Sequence, residues 1–392
     1  MFSIFEKWTS AFPPQLPDQP PEGIMAFCRY YTRGFEKPLL AMAFLSALIA
    51  ALEVSLFGFM GKLVDWLSTH EPDTFLAQES STLVGLGIFV LVVMPALVML
   101  HSLIMHQSLL GNYPMSIRWL AHRYILRQSV SFFQNDFAGR IATKVMQTAL
   151  SVRETVMKLL DVLVYILVYF IAMVVLIGNA DVRLMLPMLV WFAGFIAVQL
   201  YFVPKLKQIS TEQANARSLM TGRIVDSYTN IATVKLFSHS QRETEYAEEG
   251  MDEFLVTVHK QMRLVTGFTV CVELLNYLLL FSVAALSIFL WLNASLSVGI
   301  IAVAISLALR LNSMSKWIMW EIGGLFENMG TVVDGINTLA KPIAITDKQD
   351  AQPLAVSAGA IDFDNVSFHY GEDAGVIEGL NLNIKPGEKV GL

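Results

Sequence analysis

The amino-acid sequence predicts an α-helical polytopic membrane protein with six long transmembrane helices, followed by the first β-strands of a second, soluble domain. Hydrophobic residues make up 55% of the chain and charged residues only 15%, whereas soluble proteins contain about 25% charged residues. Six apolar runs are each long enough to cross about 30 Å of hydrocarbon, which requires roughly 20 residues. Beyond residue 359 the pattern changes to the alternation that is typical of β-strands.

The first 37 residues precede all of the apolar runs. They contain five prolines, Pro13, Pro14, Pro17, Pro20 and Pro21. They lack the continuous apolar core that defines a signal peptide. Residues 1–37 are therefore predicted to form an irregular cytoplasmic N-terminal arm.

The six spans are predicted within a membrane domain at residues 38–330. Their approximate bounds are 38–61, 83–105, 159–178, 182–203, 264–292 and 297–320. Very short links, GNAD and NASL, join the third span to the fourth and the fifth to the sixth, so each of these pairs must be antiparallel. Long polar stretches separate the second span from the third and the fourth from the fifth, and their patterns predict helices that continue well beyond the bilayer.

Lysine and arginine residues predict the orientation of the spans, because cytoplasmic segments carry an excess of both. The loop between the first two spans is acidic, with Asp65, Glu71, Asp73 and Glu79. Both termini are therefore expected in the cytoplasm. The chain is expected in a plasma membrane, specifically the inner membrane of a bacterium. The basic residues of the two long stretches are Arg118, Arg123, Arg127, Arg140, Lys144, Arg153, Lys158, Lys205, Lys207, Arg217, Arg223, Lys235, Arg242, Lys260 and Arg263.

Three charged residues lie within the predicted spans. Glu53 is deep in the first span, Arg310 is deep in the sixth, and Glu273 is at a shallower position in the fifth. A charge at such depth is costly unless it faces protein or a water-filled cavity. Two interpretations remain open: the three side chains line a translocation cavity, or they form a structural ion pair between helices. A cavity-facing Arg310 would favour substrates with anionic or strongly polar groups.

Other polar residues near the spans are not assigned to a functional site. Asp161, Lys316 and Glu321 are interpreted as charges at the membrane boundary, and His101 and His106 as surface residues at the cytoplasmic end of the second span. The histidines and the two cysteines show no metal-ligand spacing, so no metal site is predicted.

A second domain is predicted at residues 359–392, after a linker at 331–358. The segment IDFDNVSFHY alternates apolar and polar residues, as a half-buried strand does. The segment LNLNIKPGEKVGL predicts a second strand, a turn at Pro386-Gly387, and a third strand that begins at Glu388.

These segments together resemble the type I ATP-binding cassette (ABC) exporters, in the form of a half-transporter with a permease fused to an ATP-binding domain. SFFQNDFAGRIATKV resembles the family's first intracellular loop. GRIVDSYTNIATVKLFSHSQRE resembles the second, including Thr233, Val234, Lys235 and Phe237. IDFDNVSFHYG and LNLNIKPGEKVGL resemble the opening of the family's α/β nucleotide-binding domain.

The resemblance implies ATP and Mg²⁺ as cofactors of a full-length protein. In the family a strand such as GEKVGL leads into a glycine-rich phosphate loop, but no GxxxxGK[ST] motif occurs in this sequence. The chain is therefore interpreted as a fragment cut before its catalytic ATPase motifs, and it is expected not to bind ATP tightly by itself. Tyr370 is the residue expected to stack on adenine, the alternative being an ordinary tyrosine at a strand end.

The resemblance also implies ATP-driven export of a hydrophobic or amphipathic substrate, such as a drug or lipid, by alternating access in a homodimer or heterodimer. Turns near Gln147–Val152 and Met220–Ser227 are expected to contact the nucleotide-binding domains, and the candidate residues are Gln147, Thr148, Met220 and Asp226. The alternative is a non-catalytic membrane protein that pairs with a full-length subunit. A net charge of −6 argues against nucleic-acid binding.

Overall fold

The computed structural model describes residues 2–134, 138–237, 240–293, 295–346, 350–352, 354–356, 358–369 and 376–391. The chain divides into two units, Met1–Pro342 and Ile343–Leu392. The first unit is helical and the second contains the β-strands.

The N-terminal arm is more ordered than its prolines predict. Helix α1 spans Phe2–Glu6 and helix α2 spans Ile24–Thr32. Phe27 and Tyr31, which are four residues apart and therefore on one face of α2, are fully buried. The prediction of an irregular arm is thus wrong for α2, because an amphipathic pattern after the last proline was sufficient to form a helix.

Six helical stretches are long and apolar enough to cross a membrane, judged by length and composition. The prediction of six long transmembrane helices is confirmed. The bounds are α3 Glu36–Thr69; α4 Pro72–Ile88, α5 Met94–Leu103 and α6 Asn112–Ile125; α8 Ala138–Met157 and α9 Leu163–Ala180; α10 Met185–Thr229; α12 Ser240–Leu292; and α13 Val298–Leu339. Two short helices, α7 (Val130–Gln134) and α11 (Ile231–Leu236), lie between the long ones.

Short π-helical segments interrupt two of the membrane-crossing stretches. The second stretch contains Phe89–Val93 and Ile104–Leu110, and the third contains Lys158–Val162. A π-segment places one extra residue in a turn and is frequent at functional sites. It therefore changes which side chains share a face on either side of the segment.

Helix α13 extends past residue 330, into the segment where the sequence predicts a last helix that fades into the linker. It ends at Leu339, so residues 331–339 of the predicted linker are helical. Val332, Ile336 and Leu339 are buried and recur at the spacing of one helix face. Their burial against the rest of the unit explains why the helix does not fade earlier.

Two hydrophobic clusters hold the helical unit together. One lies among α9, α10, α12 and α13 and includes Tyr169, Met173, Trp191, Phe195 and Leu307. The other joins α2, the start of α3, α6, α8 and the end of α13, and includes Phe27, Met42, Tyr113, Val152 and Ile336.

The second unit contains two antiparallel strands, β1 (Ile361–Phe368) and β2 (Ile377–Ile384). Ile361 pairs with Ile384 and Phe368 with Ile377. Pro386-Gly387 forms the predicted turn, with Gly387 at φ 77°. The predicted third strand is wrong: residues 388–391 are not extended into a strand, because β1 and β2 pair with each other and no third partner strand lies beside this segment in the described chain.

Candidate functional site in the membrane domain

Arg310 of α13 and Glu53 of α3 lie close together within the membrane-crossing stretches. The Arg310 Nη2 atom is 3.6 Å from Glu53 Oε2, and the side chains are 40% and 31% exposed. Tyr165 donates a much shorter hydrogen bond of 2.6 Å to the same Glu53 oxygen. The Arg310 Nε–H group donates to the Tyr169 hydroxyl at 3.3 Å. Glu53 is therefore held mainly by Tyr165, and the guanidinium group is only loosely engaged.

Arg310 also lines a cavity of about 330 Å³, together with Tyr165, Ser313, Met314 and Trp317. The two interpretations of the sequence thus occur together, since Arg310 lies beside a carboxylate and also borders a cavity. Any role for the pair in transport remains a prediction.

Glu273 of α12 is part of a different pair. Its Oε1 atom lies 2.7 Å from the Nζ atom of Lys316 on α13. Glu273 is therefore the partner of Lys316 in this structure and not of Arg310. Lys316, which the sequence suggested to be an ordinary boundary charge, links two of the long helices.

His101, Asp161 and Ser46 form a polar cluster that joins three helical stretches. The His101 Nε2 atom is 2.9 Å from Asp161 Oδ1, and the two side chains are only 17% and 15% exposed. The buried Ser46 donates a short hydrogen bond to the same oxygen and lies 3.1 Å from His101 Nε2. The interpretation of His101 as a surface residue is wrong, because α3 and the π-segment Lys158–Val162 enclose its ring.

This cluster borders a cavity of about 250 Å³, whose other walls are Ile49, Val98, Val162, Tyr165 and Trp317. Tyr165 and Trp317 line this cavity and the one beside Arg310. One helical turn from Asp161, Lys158 pairs with Glu321 at 2.8 Å. Residues of α3, the π-segment Lys158–Val162 and α13 therefore form two ion pairs, Arg310–Glu53 and Lys158–Glu321, beside the contact between His101 and Asp161. The sequence identified some of these residues but not their pairing.

A third and larger cavity, of about 780 Å³, lies among α8, α10, α12 and α13. Gln147, Gln199, Phe268 and Phe326 are among its lining residues. Gln199 is only 8% exposed, and neither its side-chain oxygen nor its nitrogen has a hydrogen-bond partner in the described chain. Buried amides in proteins are normally paired, so the unpaired amide of Gln199 is unusual. The residue type alone could not predict it, because pairing depends on how the helices pack.

The residues predicted to couple the two domains lie in helices and not in turns. Gln147 and Thr148 are within α8, and Met220 and Asp226 are within α10. The expectation of turns at these positions is wrong, because both sequences continue a helical pattern without a breaking residue. Gln147 is exposed, and Thr148 is buried against Gly335 of α13.

The chain reverses direction elsewhere. Helix α7 follows α6, and α11 lies between Asn230 and Phe237, just before α12. Asp226 holds Asn230 through a hydrogen bond of 2.9 Å between Oδ1 and Nδ2. The backbone of Met220 packs against Gly250 of α12. Tyr370, the predicted adenine-stacking residue, lies outside the described residues.

Sequence reasoning missed several members of these clusters. Tyr165 and Tyr169 follow Asp161 at intervals of four residues, which places all three on one helix face. That spacing was a usable signal. The pairing of His101 with Asp161 had no such signal, because it depends on how two distant segments pack.

Six helical stretches that are long and apolar enough to cross a membrane define a polytopic membrane protein. The model of the ABC transporter transmembrane region matches residues 39–315. An uncharacterized ABC transporter ATP-binding protein from Haemophilus influenzae is 45% identical over the whole of this chain and 64% of its own length. A putative multidrug export ATP-binding/permease protein from Staphylococcus aureus is 20% identical over 78% of this chain and 53% of its own length.

Among solved structures, a bacterial Atm1-family ABC exporter with ATP bound matches with a TM-score of 0.66 and 15% identity, covering 88% of this chain and 60% of that one. The chain belongs to the ABC transporter transmembrane-region family, and it has the fold of a type I ABC exporter. It spans about two thirds or less of the length of these relatives.

Proposed function

We propose that this chain forms the membrane-spanning part of an ATP-driven exporter, which moves a hydrophobic or amphipathic substrate out of the cytoplasm by alternating access. The observation that carries the proposal is the cavity of about 780 Å³ with the unpaired, buried amide of Gln199 in its wall. Ligand cavities in proteins have volumes of about 300–1,000 Å³ and combine apolar walls with a few polar groups. A substrate group that pairs with the amide would remove the cost of leaving it unsatisfied.

We further propose that the chain works as a dimer, because parts of it that leave the membrane expose apolar surface. The buried residues of α10 end at Phe202, although the helix continues to Thr229. Leu219, Val225 and Leu255 on this extension of α10 and α12 are between 46% and 62% exposed. Lipid cannot cover residues beyond the bilayer, and exposed apolar patches mark interaction sites. A second half-transporter, identical or different, would cover them.

ATP and Mg²⁺ would supply the energy through a complete nucleotide-binding domain. Support comes from the relatives, which are described as ATP-binding proteins, and from the two strands of the second unit. ATP would bring two such domains together, and a ligand with unequal affinity for two states shifts the balance between them. The short helices α7 and α11, at the reversals of the cytoplasmic hairpins, are the contacts that we favour, with Gln147, Thr148, Met220 and Asp226 in the supporting helices.

The orientation in the proposal has both termini in the cytoplasm of a cell whose plasma membrane holds the protein. It rests on the concentration of lysine and arginine in the stretches that contain α6 to α8 and α10 to α12. The substrate pathway would then open first toward the cytoplasm, the side on which these lysine and arginine residues lie.

The test uses the protein with a complete nucleotide-binding domain, reconstituted in proteoliposomes with a panel of cationic, neutral and anionic amphipathic dyes. ATP-dependent accumulation of at least one dye is expected. Gln199→Leu removes the unpaired amide, so it should leave thermal stability unchanged or raise it. The same variant should alter the dye concentration at which ATP hydrolysis is half-maximally stimulated.

Asn276→Leu is the matched control, because this buried amide is paired with Trp191 and Ser315 at 3.0 and 2.9 Å. Removing it should lower thermal stability. If the unsubstituted protein transports none of the dyes in an ATP-dependent manner, the proposed export is contradicted. Loss of stability in Gln199→Leu comparable to that of Asn276→Leu would show that Gln199 has a structural role.

Arg310 and Glu53 provide a second test of the same pathway. If the pair is mainly structural, Arg310→Ala should reduce thermal stability and removal of both charges should restore it, because a single substitution leaves an unpaired charge. If the pair contacts substrate, the double variant should not restore the response to dye. Lys316→Ala, in the same helix and also paired with a carboxylate, is the control for loss of a membrane-embedded cation.

A further inference from the structure

The charged groups of the π-segment Lys158–Val162 and of the neighbouring helices α3 and α13 have no net positive charge. Arg310 is offset by Glu53, and Lys158 is offset by Glu321. Asp161 contacts Ser46, which is neutral, and His101, which is charged only when protonated. With a neutral His101, these groups carry one net negative charge, and it resides on Asp161. The anion preference expected from Arg310 alone is thereby reversed.

Asp161 has one unengaged oxygen beside the cavity. Both of its contacts, from Ser46 and His101, reach Oδ1, and Oδ2 accepts no hydrogen bond from the part of the chain that the structure describes. The carboxylate is only 15% exposed. Because a half-buried carboxylate loses part of its hydration, a positive charge in the adjoining cavity of about 250 Å³ would be favoured.

The remaining walls of that cavity suit an organic cation. Ile49, Val98 and Val162 are apolar. The rings of Tyr165 and Trp317 meet edge to face, with centroids 6.0 Å apart. The faces of Trp and Tyr rings attract cations within about 6 Å. A carboxylate, two aromatic rings and apolar walls are the groups that recognise an ammonium or phosphonium ion with apolar substituents.

We propose that Asp161, Tyr165 and Trp317 form a binding subsite for a hydrophobic monovalent cation. The proposal rests on the proposed export function and names the substrate class for it. The cation would lie beside Asp161 in the cavity of about 250 Å³. Its apolar substituents would lie against the aromatic and aliphatic walls.

The experiment measures equilibrium binding of tetraphenylphosphonium to the full 392-residue chain in lipid nanodiscs, without ATP. Tetraphenylborate, an anion of the same shape, is the comparison ligand. Asp161→Asn should weaken tetraphenylphosphonium binding at least tenfold and should not weaken tetraphenylborate binding. Glu79→Gln, which removes one negative charge from α4 and does not line the cavity, should change neither.

One further variant keeps the test informative if Asp161→Asn folds poorly. His101→Lys provides Asp161 with a cation and should also weaken tetraphenylphosphonium binding at least tenfold.

The proposal is overturned if Asp161→Asn binds tetraphenylphosphonium as tightly as the wild type, or if both ions lose affinity equally. Tetraphenylphosphonium binding to His101→Lys that is as tight as in the wild type would also overturn it. Because no ATP is present, binding can fail while dye export stands. Intact cation binding in a protein that exports nothing would refute the export function alone.

Discussion

Replacing Gly335 by alanine should force α13 away from α8. A Cβ atom at this position would lie 2.8 Å from the Cβ of Thr148, 2.4 Å from its Cγ2 and 2.1 Å from its Oγ1. Rotation of the threonine side chain can move Oγ1 and Cγ2, but its Cβ is fixed to the backbone. Since carbon atoms pack at about 3.5–4.0 Å, the helices must separate by roughly 1 Å at this contact.

The expected cost follows from two opposing terms. Overpacking of a well-packed site costs about 1–3 kcal/mol. Alanine in place of glycine within a helix stabilises the folded state by roughly 0.5–1 kcal/mol. Gly335→Ala should therefore lower the free energy of unfolding by up to about 2.5 kcal/mol. Gly323→Ala is the matched control, because it lies in the same helix and an added Cβ there has no atom within 4 Å.

The assay is equilibrium unfolding in mixed detergent micelles, applied to a double-mutant cycle with Thr148→Gly. The double variant should be more stable than the sum of the two single effects predicts, because removing the threonine side chain makes room for the new methyl group. Two results would refute this reasoning: a Gly335→Ala chain as stable as Gly323→Ala, or a coupling energy of zero between the two substitutions.

Three further outcomes are expected. Gly299→Ala should destabilise the chain more than Gly335→Ala in the same unfolding assay, because its Cβ would lie 2.1 Å from the backbone oxygen of Gly61, which cannot rotate away. Cys28 should resist maleimide at pH 7.5 until the chain is denatured, since burial raises the pKa of its thiol to about 11 and the thiolate becomes abundant only near that pH; labelling of the folded chain would contradict this. In a cysteine-free background, a cysteine replacing Asp73 should react with an impermeant reagent from outside the cell and one replacing Lys235 should not; the reverse pattern would invert the topology.

The membrane spans could be predicted from the sequence because the hydrocarbon thickness imposes their minimum length. The two strands could be predicted for a similarly local reason, since residues of alternating polarity occupy opposite faces. The predicted strand at Glu388 was wrong because a strand also needs a neighbour to pair with, which its own residues do not reveal.

The polar clusters depend on information that no local pattern contains. Arg310 and Glu53 were identified individually by their depth, but Tyr165, which donates the short hydrogen bond to Glu53, resembled any other aromatic residue of a span. His101 and Asp161 are far apart in the sequence, and their contact depends on how α5 packs near the π-segment Lys158–Val162. The position of a charged residue within a predicted span shows that its burial is costly. Only the packing of the helices determines which partner offsets that cost.

The contact between Gly335 and Thr148 connects the C-terminal end of α13 with the helix that leads to the polar cluster. Residues 139–180 form one helical stretch that carries both Thr148 and Asp161, about 20 Å apart along its axis. The π-segment that contains Asp161 is the interruption in this stretch, and therefore the place where a displacement of α8 can be absorbed as a change of twist. Spatial continuity alone does not establish coupling between sites. The decisive measurement is tetraphenylphosphonium binding to Gly335→Ala, since an affinity that changes without any substitution at the cavity would require that the displacement reach Asp161.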